Sequence, residues 1–297
     1  MTRSLALAAV VGLAAGVGAV AFHMLTEAVV HVALRQVVGY DQGGPPGEVR
    51  LLEHVTAVFR PWMLLVVPTI GGLISGYLVY RFAPEAEGHG TDAAIDAYHN
   101  KRGHIPPAVP IVKMFASAIT IGTGGSGGRE GPIAQIGAGF GSYLSARLGL
   151  SDPERRVLLA AGLGAGIGAI FQAPLAGAIF AVEVLYRDPD FESEALISAF
   201  IATVVAYCTF NVVMAVLTSV VGMPFEGFVQ LFDVAAGIRC RDPLLLLPLT
   251  GLVVVMVAAS WLYVHTFYRV QAIFKRLAIR SWIKPGLGAM GAGSIAL

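Results

Sequence analysis

The chain has 297 residues, of which 56% are hydrophobic and 13% charged, and its net charge is +1. Soluble domains carry about a quarter charged residues, so a chain this apolar lacks the polar groups to cover a water-facing surface. Near-neutral charge excludes a nucleic-acid binder or a polybasic membrane-surface protein, and Cys208 and Cys240 match no metal or redox spacing. The expected solvent is the lipid bilayer, and no metal or cofactor is expected.

In chain order, runs free of Asp, Glu, Lys and Arg cover residues 4–26, 61–80, 114–128, 131–146, 157–182, 195–225 and 243–268. A spanning helix needs about 20 apolar residues. Five of these runs are long enough. The first resembles a secretory signal, with Arg3 before it and Ala19-Val-Ala21 imitating a cleavage site. It is long for that role and other spans follow it, so it reads as a retained first helix. Gln172, Ala173 and Pro174 predict a division of the fifth run, since proline ends one helix and starts the next.

Segments 41–53, 84–104 and 222–242 are richer in polar residues, Gly and Pro and read as loops. Gly12–Ala19 (GLAAGVGA) echoes Gly162–Ala169 (GLGAGIGA), which close small-residue packing explains better than a repeat. His23 and His265 read as packing or interfacial residues. Trp62, Trp261 and Trp282 read as interfacial anchors, and Arg269, Lys275, Arg276, Arg280 and Lys284 as a cytoplasmic basic cluster.

The two short runs are the most informative. Between residues 122 and 141 stand nine glycines in twenty residues, interrupted by Arg129 and Glu130. Irregular backbone at membrane depth persists only where protein or a watery cavity covers it, and such interruptions point to a transporter's binding site. The GxGxxG match at Gly122–Gly127 is weak because no βαβ unit surrounds it. No Gly-Lys-Ser/Thr follows, so a phosphate loop fails. HExxH and paired membrane aspartates are also missing, so an enzyme is not expected.

The stronger reading is an anion site. Gly128, Arg129, Glu130, Gly131 and Pro132 end one helix and start another, with proline suited to the first turn. Free N–H groups and the positive dipole end would face the break and hold an anion with little formal charge. Glu130 would compete with that anion for the same donors until protonation released it. The alternative is an ion pair of Glu130 with Arg129 or another charge.

The run from Gly128 to Pro132, followed by Ile133-Ala-Gln-Ile-Gly137, resembles the signature GREGPxxQIG of the CLC-type chloride channels and chloride–proton antiporters. Lys113, Ala173-Pro-Leu-Ala-Gly177 and Ile179-Phe-Ala-Val-Glu183 match that family in the same order and spacing. The resemblance covers nearly the whole chain. It implies an all-α, polytopic membrane protein, the first half of the CLC inverted-repeat fold with tilted and broken helices. Residues 1–297 would form the first repeat plus the start of the second.

By the same resemblance Glu130 is the gate. Gly128, Arg129 and Gly131 belong to the anion site, with His89 and Gly90. His89 stands where the family has a serine hydroxyl, and could donate through a ring N–H. The antiporters' inward-facing, proton-relaying glutamate aligns with Val184, which cannot carry a proton. Channel-like, passive conduction of chloride is therefore expected, with chloride–proton antiport as the alternative. Glu183 matches a neighbouring glutamate expected to be a buried carboxylate satisfied by backbone or Arg187.

The family's second half, with its GxFxP motif and pore tyrosine, is not in the sequence. The chain is then a fragment, a truncated product or a half needing a partner, with or without transport of its own. A homodimer is implied for the full-length form, through helices corresponding to residues 174–186 and 192–217. The implied location is a multi-pass position in the cell membrane.

Overall fold

The computed structural model describes residues 2–41, 43, 52, 57–185, 193–222, 244 and 246–297. The described elements are helical. Helix α1 (Thr2–Val30) runs on into a π-helical segment (His31–Val38) that ends at Gly39 in the left-handed region. Then come α2 (Met63–Phe82), α3 (Thr91–Asn100), α4 (Ala108–Gly122), α5 (Glu130–Arg147) and α6 (Asp152–Ile170). They are followed by α7 (Pro174–Glu183), α8 (Ser193–Val221), α9 (Leu246–Arg276) and α10 (Lys284–Ala296). Among the described residues four helical stretches are long and apolar enough to cross a bilayer: Arg3–Val38, Met63–Phe82, Ala195–Val221 and Leu246–Arg276.

The chain divides into two compact units, 1–231 with 281–297, and 232–280. In the first unit α5 and α6 are buried almost throughout, and α1, α7 and α8 pack around α6. Small residues set these approaches. A Cβ on Gly137 of α5 would run into the Gly162 carbonyl of α6, and one on Gly12 of α1 would meet the Ala202 carbonyl of α8. The two glycine-rich stretches that echo each other thus both serve close backbone packing. The second unit contains α9, whose residues are almost all exposed.

The expected division after Gln172 is present: α6 stops at Ile170, Gln172 takes φ +54, and Pro174 opens α7. The 84–104 stretch differs from the loop reading, because α3 lies within it. Its helix is short, and its buried residues are Ala94, Ala97 and Tyr98, too few to give a strong apolar pattern. His23 is buried against Phe210 and lies 3.9 Å from Glu27, whereas His265 is exposed and stacked on Trp261. Trp62 and Trp261 are exposed, and Trp282 is half-buried against Tyr77. Cys208 is exposed; Cys240 and most of segments 41–53 and 222–242 lie outside the described residues.

Candidate anion site

The glycine-rich break separates α4 from α5. Thr123 caps α4, Gly124 turns the chain with φ +94, and α5 starts at Glu130 with Pro132 in its first turn. No side chain caps the first amides of α5. The same holds for α3, whose N-cap, Gly90, has φ +114. Two uncapped helix N-termini, each with free N–H groups and a positive dipole end, are the raw material of an anion site.

Tertiary packing brings these two ends together. A Cβ on Gly90 would strike the Gly131 carbonyl, and a Cβ on Gly131 would strike the His89 carbonyl and lie within van der Waals overlap of its ring. Both positions therefore admit only glycine at this spacing. His89 is exposed, with Nδ1 3.3 Å from Thr91 Oγ1. His89, Gly90, Gly128, Glu130 and Gly131 all stand around one junction.

Glu130 folds back over its own helix start, so that its Oε2 occupies the space a Cβ on Gly128 would need. The Glu130 side chain is exposed. Arg129 is half-buried at the N-cap of α5. A carboxylate in this place lies where the amides of α5 and an external anion would meet.

Two side chains brace the segment leading into α3. Buried Lys113 donates from Nζ to the carbonyls of Ala86 at 3.0 Å and Gly88 at 2.6 Å. Gln135, one turn after Gly131, donates from Nε2 to the Glu85 carbonyl at 3.0 Å. The motif places both residues, but their work depends on a backbone segment far away in sequence. At the far end of the unit, Val184 caps α7 and packs against the apolar core. Glu183, the last residue of α7, is exposed although its neighbours Val182 and Leu185 are buried, which corrects the expectation of a buried carboxylate: its side chain faces away from the core. Arg187 lies outside the described residues.

The chain thus combines long apolar helices with two uncapped helix N-termini that meet at Gly90 and Gly131, next to the exposed Glu130. The voltage gated chloride channel family matches residues 71–297, and the chain belongs to that family. It is 34% identical over 184 residues to the H(+)/Cl(-) exchange transporter ClcA of Cronobacter sakazakii, covering 60% of this chain and 36% of the relative. It is 28% identical over 244 residues to a chloride/fluoride channel protein of Pseudomonas syringae, covering 80% of this chain and 50% of the relative.

The crystal structure of a slow cyanobacterial Cl-/H+ antiporter superposes with a TM-score of 0.75 at 24% identity, covering 99% of this chain and 64% of that one. A CLC-type fluoride/proton antiporter gives 0.74 at 22% identity, covering 98% and 63%. These likenesses show the fold. The chain is an all-α, polytopic integral membrane protein of a family that transports anions, and it spans half or less of the length of the two curated relatives.

Proposed function

We propose that this chain forms an anion pathway, for chloride in the first place, in which Glu130 is the gate. The observation that carries it is the position of the Glu130 carboxylate over Gly128 at the start of α5, whose next residue, Gly131, packs against His89 and Gly90 at the start of α3. His89, Gly90, Gly128, Arg129 and Gly131 supply the surrounding donors. Ionised, Glu130 occupies those donors itself; protonated, it loses its claim on them and the anion enters. The pathway belongs to residues 1–297 as a partial transmembrane domain, working in the cell membrane as part of a homodimer with the family's second half.

The apolar packing of Val184 supports passive, channel-like conduction, since no proton can be held there. A second reading, proton-coupled antiport, is supported by the names of the relatives, one of which is an H(+)/Cl(-) exchange transporter. Chloride efflux from liposomes containing the chain, with proton movement recorded at the same time, separates them. Efflux without proton uptake, altered by Glu130→Ala, supports passive conduction gated by Glu130 and shows that this length of chain assembles a pathway by itself. Coupled proton uptake selects antiport, and no efflux from well-folded protein removes the claim that the chain works alone.

A further inference from the structure

Helix α3 carries a second histidine, at the end away from His89. His99 Nε2 lies 2.6 Å from the carbonyl oxygen of Leu185, just beyond α7. The acceptor is a carbonyl, so Nε2 carries the hydrogen and Nδ1 is the nitrogen left to gain or lose a proton. The bond joins positions 86 apart in sequence and ties the C-terminus of α3 to a helix packed on α6 and α8.

Histidine changes charge near neutral pH. A proton on Nδ1 would turn the Nε2–H···O=C bond into a charge-assisted one, roughly twice as strong. It would also sit in the last turn of α3, where the helix dipole favours a cation. The ten residues of α3 make one rod about 15 Å long, so whatever fixes its C-terminus also fixes where Gly90 and the first amides stand against Gly131.

We propose that His99 is a proton-sensitive anchor of α3, tightening its hold on Leu185 when protonated and thereby raising anion affinity at the other end of the helix. This rests on the anion-site reading above. His99 is a positioning residue and does not touch the anion.

The charged groups around it are mostly engaged with one another. On α3, Asp96 pairs with Lys101, the residue just after the helix, at 2.8 Å, and hydrogen bonds from Lys101 and Asn100 hold the Asp96 carboxyl below the usual carboxylate range, so it stays ionised near neutral pH. From α6, Arg156 lies over the ring of Tyr98, the neighbour of His99, while Arg155 and Arg102 both reach Asp152 at 3.8 Å. From α7 comes exposed Glu183, two residues before Leu185. On α5, Ser142 meets the loop after α3, beside Tyr143 and Arg147, which bond each other. His104 stands in that same loop, and residues 186–192 lie outside the described residues.

The test is calorimetric titration of the full chain in detergent with sodium chloride, at about pH 5.5 and about pH 7.5. All variants carry Glu130→Gln, so that the gate does not titrate. The expected result is chloride binding about five-fold tighter at the acid pH. Adding His99→Gln, which keeps an N–H donor for Leu185 but binds no proton, leaves the weaker affinity at both pH values. Adding His99→Lys, permanently cationic, leaves the tighter one at both.

A pH step that survives His99→Gln overturns the proposal, as does one abolished by His89→Gln alone, which assigns the proton to the site's own histidine. Binding with no pH step also overturns it and leaves the anion site standing. No chloride binding at either pH sinks the anion-site reading, and the anchor with it.

Discussion

Lys113 donates a 2.6 Å hydrogen bond from Nζ to the carbonyl oxygen of Gly88, the residue before His89. With its second bond to Ala86 and that of Gln135 to Glu85, it holds the approach to α3 from two different helices. Side chains on α4 and α5 thus brace the chain as it enters the α3 N-terminus. Lys113→Met should leave two carbonyls without their donor and cost about 1–3 kcal/mol of stability. Thermal unfolding in detergent and chloride titration would check this. Unchanged chloride affinity in the folded variant would show that the bracing does not reach the site.

Gly90→Ala should be more damaging than Gly88→Ala. Both glycines have positive φ, +114 and +81, but a Cβ at 88 meets open space whereas one at 90 meets the Gly131 carbonyl. Backbone strain alone costs on the order of 1–3 kcal/mol. The steric clash at 90 adds to it and separates the two N-termini. Parallel melting curves and chloride titrations of the two variants would measure the difference, and equal effects would contradict the close approach of α3 and α5.

The packing of α5 on α6 makes its own prediction. Gly137→Val should destabilise by about 1–3 kcal/mol, because the new side chain meets the Gly162 carbonyl and the helices have to part. Gly251→Ala on α9, where nothing lies within 4 Å, should be neutral or slightly stabilising through helix propensity. Detergent-solubilised unfolding midpoints of both variants give the comparison.

For Glu130 the sign of the pH effect follows from charge. Ionised, the carboxylate competes with the anion; protonated, it does not. Anion flux in the parent should rise as pH falls, and Glu130→Gln should already show the high acid flux at every pH. Flux assays in liposomes across a pH series would record it. A parent-like pH profile in the glutamine variant would remove Glu130 as the gate.

Much of this architecture is legible in the residues themselves. Long apolar runs announce α1, α2, α8 and α9, because a helix is the form in which a single segment satisfies its own backbone in lipid. The break at 123–129, the start of α5 near Pro132 and the division at Gln172 follow from local backbone preferences of Gly and Pro. α3 escapes such reading, since ten residues with few buried positions carry little periodic signal. The exposure of Glu183 escapes it as well, because burial depends on what packs across the end of α7.

Sequence alone determined that the chain belongs in a membrane, where its helices break, and that Glu130 stands in the most irregular of those breaks. Tertiary structure decided that α3 meets that break, that Gly90 faces Gly131, and that Lys113, Gln135 and His99 hold α3 in place. The physical reason is range. Glycine, proline and charge act on the backbone within a turn or two, whereas a converging pair of helix ends is fixed by hydrogen bonds and small-residue contacts between segments 25 to 86 residues apart.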